Sequence, residues 1–307
     1  MKLIEPGVEK VVQGDDPFIH IERLGRICYK SEKEDYTHES GVKFFNSLVN
    51  SGHFSVLEHA NFVFLFKNEG MFNSVKSEVM FGRVYKNKYL NCTRCVDIST
   101  GEDRMIVSGN LRAIAESKTC LGTILANAYP EMKDYLGEDE DRSYRPEDWC
   151  CLAPPDYKFT EREKPYHTYH SFVFTTDRGV SHEMVRHRPA SFSQESTRYC
   201  NYSNKKFGGE LTFIKPADFD SWNHTSQVHY NHGLRVAEKI YFGMLADGRT
   251  PQEARGVLPT DLKTTIAMTA NEQEWSHFFN LRYFETTGKA HPNMKKVAEM
   301  AYKLYTE

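Results

Sequence analysis

The sequence predicts a globular chain that mixes helix and strand. Two local patterns and the composition lead there. From Ser40 to Ser51, Val42, Phe45, Leu48 and Val49 recur at helical spacing, and Gly52 supplies a stop. The run Asn61-Phe62-Val63-Phe64-Leu65-Phe66-Lys67 is instead apolar at both alternating parities, as expected of a central strand covered on both faces. Hydrophobic residues at 39% and aromatic ones at 13%, with 20 Phe and 17 Tyr, provide the bulky surface of a core. That composition excludes a disordered or collagen-like chain.

The 307 residues suffice for one large domain or two small ones. Lys and Arg number 39 against 42 Asp and Glu, so 39 − 42 gives a formal charge of −3. A general nucleic-acid binder carries a basic excess instead, so any anion site here must be local. No apolar run reaches the roughly 18 residues of a membrane span. The start, MKLIEPGVEK, has Glu and Pro where a leader would be apolar. A soluble, cytoplasmic protein with no membrane partner is expected. Cysteines at 28, 92, 95, 120, 150, 151 and 200 are odd in number, which suits reduced thiols. Cys92 and Cys95 with Cys150 and Cys151 could be imagined around zinc. The second pair has zero spacing and lacks the usual turn, so no metal is expected.

Beyond the 61–67 strand, residues 71–95 are mixed and rich in Tyr, Asn and Lys, and Asn110 to Ser117 reads as a short helix. Residues 130–165 shift in composition, with EDED at 138–141 and prolines at 146, 154 and 155. An irregular insertion or lid is expected, and a solvated loop explains its carboxylates better than an acidic site. Ser171-Phe172-Val173-Phe174-Thr175 is a second strand, after which Asp177 caps a helix through Val185 that Pro189 ends near Arg188. No internal repeat is visible.

Chemistry concentrates at that helix exit, Arg186-His187-Arg188-Pro189-Ala190-Ser191-Phe192-Ser193-Gln194-Glu195-Ser196-Thr197-Arg198-Tyr199. Cations at a helix C-terminus commonly do no more than complement the dipole. In extended chain, however, Gln194, Ser196 and Arg198 project to one side, bringing together an amide, a hydroxyl and a guanidinium. Such a set suits a phosphate and a planar hydrogen-bonding ring. A second constellation opens with the β-branched stretch Thr264 to Thr269, followed by Asn271-Glu272-Gln273-Glu274, which fits a capping box. Stepping about 100° per residue from Trp275 places Arg282 between Phe278 and Phe279 on the apolar stripe. It either snorkels or meets an anion, and a substrate that becomes negative during reaction would serve.

These residues resemble flavin-dependent thymidylate synthases. The family signature, Arg-His-Arg followed after seven residues by Ser, is matched by Arg186, His187, Arg188 and Ser196, with Arg198-Tyr199 following. Leu57-Glu58-His59 before Phe62-Val63-Phe64, Arg255 before Leu258-Pro259, Asn271 to Arg282, and Ala290-His291-Pro292 continue the likeness. The resemblance covers most of residues 25–305 outside the insertion. It implies a single α+β domain over 1–307, with a central, mostly antiparallel sheet and flanking helices, assembled as a homotetramer with shared active sites. It also implies reductive methylation of dUMP to dTMP, with FAD as cofactor, methylenetetrahydrofolate as carbon donor and NADPH as reductant. By similarity, Glu183, Arg186, Gln194, Glu195, Ser196, Arg198, Arg255 and Arg282 would surround dUMP. Arg282 would be the catalytic group, stabilising the ionised pyrimidine N3 so that C5 gains electron density. His59, Asn61, Arg186, His187, Arg188, Gln194, Asn271, Glu272, Gln273 and His277 would hold FAD.

Some positions depart from the commonest family pattern. Glu183 stands where a glutamine is frequent, Gln273 where an arginine is, and Met294-Lys295 where isoleucine-arginine is. Glu183 would repel a nucleotide dianion unless it faces a ring donor or pairs with Arg186 or His187. His167, His170 and His182 read as ordinary histidines, lacking a third ligand at recognisable spacing. Two competing readings are a synthase using Cys200 as nucleophile, and a non-catalytic nucleotide- or RNA-binding module that retains the arginine site.

Overall fold

The computed structural model describes residues 1–67, 82–96, 103–137 and 150–307. Its architecture is α+β, with antiparallel pairing dominant. The sheet framework is divided in two. One four-stranded sheet runs β2 (Gly7–Val11), β7 (Tyr169–Asp177), β10 (Lys263–Asn271) and β8 (Ser191–Gln194), each antiparallel to its neighbour. The other runs β4 (Leu90–Val96), β5 (Asp103–Asn110), β3 (Asn61–Lys67) and β6 (Cys150–Leu152), also antiparallel. A short β1 (Lys2–Ile4) pairs in parallel with β9 (Thr212–Ile214).

The expected helix near 40–51 spans His38–Ser51 (α2, following α1, Pro17–Arg26) because local chemistry fixes both ends. Thr37 and Ser40 exchange capping hydrogen bonds at its start, and Gly52 adopts φ 71° at its end. Phe45 and Leu48 are buried from it into a core that also holds Phe62, Phe64 and Phe66 of β3. That strand lies inside its sheet as expected, yet Val63 and Leu65 on its other face are only half-buried. The short helix α3 (Leu111–Ser117) is capped by the Asn110 side chain.

The second core joins Phe172 and Phe174 of β7, Ile266 and Met268 of β10, and Trp275, Phe278 and Phe279 of a C-terminal helix. Register explains this assembly. Ile266 faces Phe174 and Met268 faces Phe172 across the central pair, so both strands bury their apolar residues on one face. Asp177 caps the next helix, α4, as expected, but that helix covers only Arg178–Met184. The chain turns before Pro189 rather than at it.

Part of the expected insertion is regular. Single turns at Pro130–Met132, Lys133–Leu136 and Lys164–His167 flank β6. The acidic run at 138–141 and Pro146 lie outside the described residues. The remaining long elements are α5 (His224–Ala246), α6 (Glu272–Arg282) and α7 (Pro292–Thr306). Among the described residues, no helix is long and apolar enough to cross a membrane, and no cluster of three or more His, Cys, Asp or Glu is placed to hold a metal.

Candidate functional site

Strand β10 forms the spine of the site, because its two ends carry different groups of the expected residues. At its C-terminal end Asn271 caps α6 by accepting from the Glu274 backbone N–H at 3.0 Å. The reciprocal half of the expected capping box is absent. Instead, Glu272 meets His170 at 3.3 Å, and Gln273 is exposed. Asn271 and Asn61 line one niche together with Pro189, Ala190 and Ser191. Its volume of about 30 Å³ is room for little more than a water molecule.

Helix α6 then carries Arg282 to the exit of α4. Its Nε donates to His187 Nε2 at 2.9 Å and its Nη1 to Glu183 Oε2 at 2.8 Å. Arg282 therefore has an anionic partner within the chain, and the partner is Glu183. Neither Arg186 nor His187 pairs with that carboxylate, so the expected i to i+4 contact is not made. The reason is geometric: α4 ends at Met184, and Arg186 turns outward to solvent. His187 is buried, and burial, followed by repulsion from Arg282 and His277, brings its pKa down to about 4. It is thus neutral near pH 7, and accepting from Arg282 at Nε2 assigns its proton to Nδ1. His277 lies beside it, ring centroids 5.9 Å apart. Arg186 and Arg188 are exposed, with no ion pair among the described residues.

At the other end of β10 stands a second group. Gln194 closes β8 and donates from Nε2 to Ser181 at 2.8 Å and Thr264 at 3.2 Å. The expected extended repeat through Arg198 does not persist. The strand ends at Gln194 and residues 197–199 turn, so Arg198 leaves the line and donates to Gln252 at 2.9 Å. Ser196 is half-buried, and Arg255 reaches the same turn through Thr197 at 3.3 Å. Glu195 points inward. Lys263 donates to it at 2.8 Å, Tyr202 at 2.8 Å, and Lys30 stands 3.9 Å away. Burial would raise its pKa, but Lys263 and then Lys30 outweigh burial and hold the carboxyl below its usual range.

His59 is likewise internal. It is fully buried, with Nδ1 2.7 Å from Thr269 and Nε2 3.0 Å from Ser193, so both ring nitrogens are taken. Burial, with His20 adding to it, lowers its pKa to about 3. A neutral imidazole thus cross-links β8 and β10. Cys200 is buried, and burial followed by Glu195 raises its pKa to about 11, opposite to what a thiolate nucleophile requires. His167 is buried against Thr93 and Ser108, and His182 is exposed, consistent with ordinary roles.

Sequence reading missed Arg178, Lys263, Lys30, Tyr202 and Ser181. Arg178 had a signal, because a cation at the first position of a helix opposes the helix dipole and needs another reason to be there.

Residues 10–74 and 166–307 match the model of the family described as thymidylate synthase complementing protein. The chain belongs to that family. Among curated relatives, the flavin-dependent thymidylate synthase of Geobacter sulfurreducens is 34% identical over 118 residues, 38% of this chain and 49% of that one. The enzyme of the same name from Pyrococcus abyssi is 30% identical over 142 residues, 45% of this chain and 54% of its own. The matched stretches thus span about half the length of these relatives. Among solved structures, a UMP/dUMP methylase, PolB from Streptomyces cacaoi bound with 5-Br dUMP, aligns over 100% of this chain and 92% of its own, at 15% identity and a TM-score of 0.42. The thymidylate synthase complementing protein match leaves residues 75–165 uncovered, and strands β4, β5 and β6 come from that stretch.

Proposed function

We propose that the chain is a flavin-dependent thymidylate synthase, acting as one domain over 1–307. The reaction is reductive methylation of dUMP to dTMP, with methylenetetrahydrofolate as carbon donor and NADPH as reductant. The observation that carries this reading is Arg282 seated against Glu183 and His187. Two sequence blocks that resemble the family separately, nearly a hundred residues apart, meet there through a half-buried guanidinium. The matched relatives, which carry that enzyme name, support the reading.

The residues fit a flavin. Its diphosphate needs cations, and Arg186 and Arg188 are exposed without ion pairs among the described residues. Its ring edge needs amide and imidazole groups, which Asn61, Asn271, Gln273 and His277 offer. FAD would supply the two-electron reduction that completes the methyl group. The chain's own residues bind and polarise: Arg282 would face the pyrimidine N3–C4 edge, while Ser196, Arg198 and Arg255 would hold the phosphate.

A homotetramer with shared sites is part of the proposal. No hydrogen bond or ion pair among the described residues joins the Arg282 group to the Arg198–Arg255 group, and the Asn61–Asn271 niche is too small for a ring. A second copy would complete both. Helix α5 supports such packing, because it buries only Leu234 and Tyr241 while Val228, Val236 and Ile240 are exposed. The test is NADPH-dependent dTMP formation from dUMP and methylenetetrahydrofolate, with and without FAD, on wild type and Arg282→Ala. The reading requires flavin-dependent product from wild type and none from the variant with flavin still bound. Absence of product from flavin-loaded wild type would overturn it.

A further inference from the structure

The niche beside Asn61 and Asn271 is a seam between the two four-stranded sheets. Thr269 and Asn271 reach it from β10, whereas Asn61, Asn91 and Asn110 reach it from β3, β4 and β5. Strands β4 and β5 belong to the stretch that the family match leaves uncovered, so this chain builds one wall of the niche with residues of its own. Register fixes that wall: Asn61 faces Asn110, and Leu90 faces Gly109. A Cβ at Gly109 would stand 2.6 Å from the Tyr89 carbonyl oxygen, so glycine is what lets the turn into β4 lie this close.

Three amides keep polar atoms unspent there. Asn110 is buried; its Oδ1 accepts from the Ala113 backbone N–H at 2.9 Å, and its Nδ2 has no acceptor among the described residues. Asn61 donates from Nδ2 to the His59 carbonyl at 3.0 Å and Asn91 from Nδ2 to the Tyr169 hydroxyl at 2.9 Å, and in both Oδ1 has no donor among the described residues. Enclosed polar atoms ordinarily find partners, so a donor beside two acceptors calls for an occupant that offers both. A volume of about 30 Å³ admits one edge of a ring, with the remainder outside. Lys88 stands at the rim, 5.2 Å over the Tyr89 ring, exposed and without an ion pair among the described residues, and no acidic residue lines the niche. Its charge suits an edge that becomes negative.

We propose that the β4–β5 wall holds the imide edge of the flavin ring, and that Lys88 favours the reduced, negatively charged form of that ring. This rests on the flavin reading given above and goes beyond it by assigning Lys88, Asn91 and Asn110, which lie outside the family match, to the cofactor. An imide presents carbonyl acceptors beside an N–H donor, the complement of the unspent amide atoms. A cation fixed beside the edge that gains charge stabilises the reduced ring more than the oxidised one.

The experiment measures FAD dissociation by flavin fluorescence and the flavin midpoint potential against a reference dye. It uses the full chain as wild type, Lys88→Met, Lys88→Arg, Asn110→Asp and, as a control for surface charge, Lys86→Met. Loss of the Lys88 charge should weaken the reduced ring relative to the oxidised one roughly tenfold, which lowers the midpoint of a two-electron couple by about 30 mV. Lys88→Arg should stay near wild type, and Lys86→Met should match it. Asn110→Asp keeps the oxygen that caps α3 but turns the unspent donor into an acceptor, and should weaken FAD binding roughly tenfold. Thermal midpoints verify that each variant is folded. An unchanged midpoint in Lys88→Met with FAD bound would overturn the proposal, and so would an equal drop in Lys86→Met, which would reveal only the general field of the surface. Unchanged flavin behaviour with weaker binding of methylenetetrahydrofolate to Lys88→Met would give the niche to the folate ring and overturn it too. A wild type that takes up no FAD would overturn the flavin reading itself.

Discussion

Acidification from pH 7 to 5.5 should destabilise this protein steeply, because four histidines are held neutral in the folded chain. Burial lowers His20, His167 and His187 to about 4 and His59 to about 3, from an ordinary 6.5. The unfolded chain takes up these protons between pH 6.5 and 4 and the folded chain does not, so stability is fully present above 6.5 and lost as pH falls. For one such group, the change from pH 7 to 5.5 is about 1.2 kcal/mol, and four sum to roughly 5 kcal/mol. That is comparable with the whole stability of an ordinary domain. His38 opposes the trend in the same range, since its hydrogen bond to Asp16 raises its pKa, but it is exposed and one group against four; Glu58, Glu274 and Asp261, which burial raises, oppose it just above ordinary carboxylate values. Urea denaturation at fixed protein and flavin concentration measures it. With m about 3 kcal/mol/M, the midpoint should fall by roughly 1.5 M between pH 7 and 5.5. A midpoint that moves less than about 0.3 M, or imidazole resonances of these four residues titrating near 6.5 in the folded protein, would refute the reasoning.

The other expectations concern single side chains. Glu183→Gln keeps an acceptor for Arg282 but removes the charge; because the pair is partly exposed, stability should change by about 1 kcal/mol or less and dTMP formation should be largely retained, whereas Glu183→Ala, which leaves no acceptor, should lower dTMP formation at least about tenfold. Thermal unfolding and product assays separate the two effects. Lys263→Met strands the buried Glu195 and should cost about 3 kcal/mol or more, whereas adding Glu195→Gln should recover most of the loss, as a double-mutant cycle would reveal. Cys200→Ser should leave turnover largely intact in the product assay, since its thiol is buried and protonated.

What the sequence disclosed and what it hid differ in physical kind. Elements governed by local chemistry were legible. Thr37 and Gly52 bracket α2, Asp177 starts α4, Asn110 starts α3, and the apolar run at 61–67 is β3 to the residue. Partner choice was not legible, because it depends on contacts across about a hundred residues. Glu183 had His187 at i+4 in sequence, yet it reaches Arg282 on α6. Spacing placed Gln194, Ser196 and Arg198 on one side of an extended chain, but the strand ends at Gln194. The inward turn of Glu195 depends on Lys263 and Tyr202, which no local pattern connects with it. The pairing of strands into two sheets was equally hidden, since neighbours such as β8 and β10 lie far apart in the chain, and His59 from a third segment bridges their side chains.

The Glu183 contact poses a question of mechanism, since a paired guanidinium polarises a ligand less than a free one. Donor geometry answers it. A guanidinium carries five N–H groups in one plane. His187 takes the Nε proton of Arg282 and Glu183 takes one from Nη1. About three donors of the fork then remain for a planar acceptor edge, and the two bonds already made fix the plane in which they lie. Glu183 thus trades some positive potential for orientation, and the balance is favourable where charge develops late, at a ring edge that must be met in register. The arrangement requires His187 to stay an acceptor. Its low pKa has the same origin as the bond it accepts, because burial and the neighbouring cation both disfavour a second proton. Protonation would set donor against donor and release the plane of Arg282. Loss of activity through this group should therefore begin only as pH approaches about 4, below the range in which the fold itself is predicted to weaken.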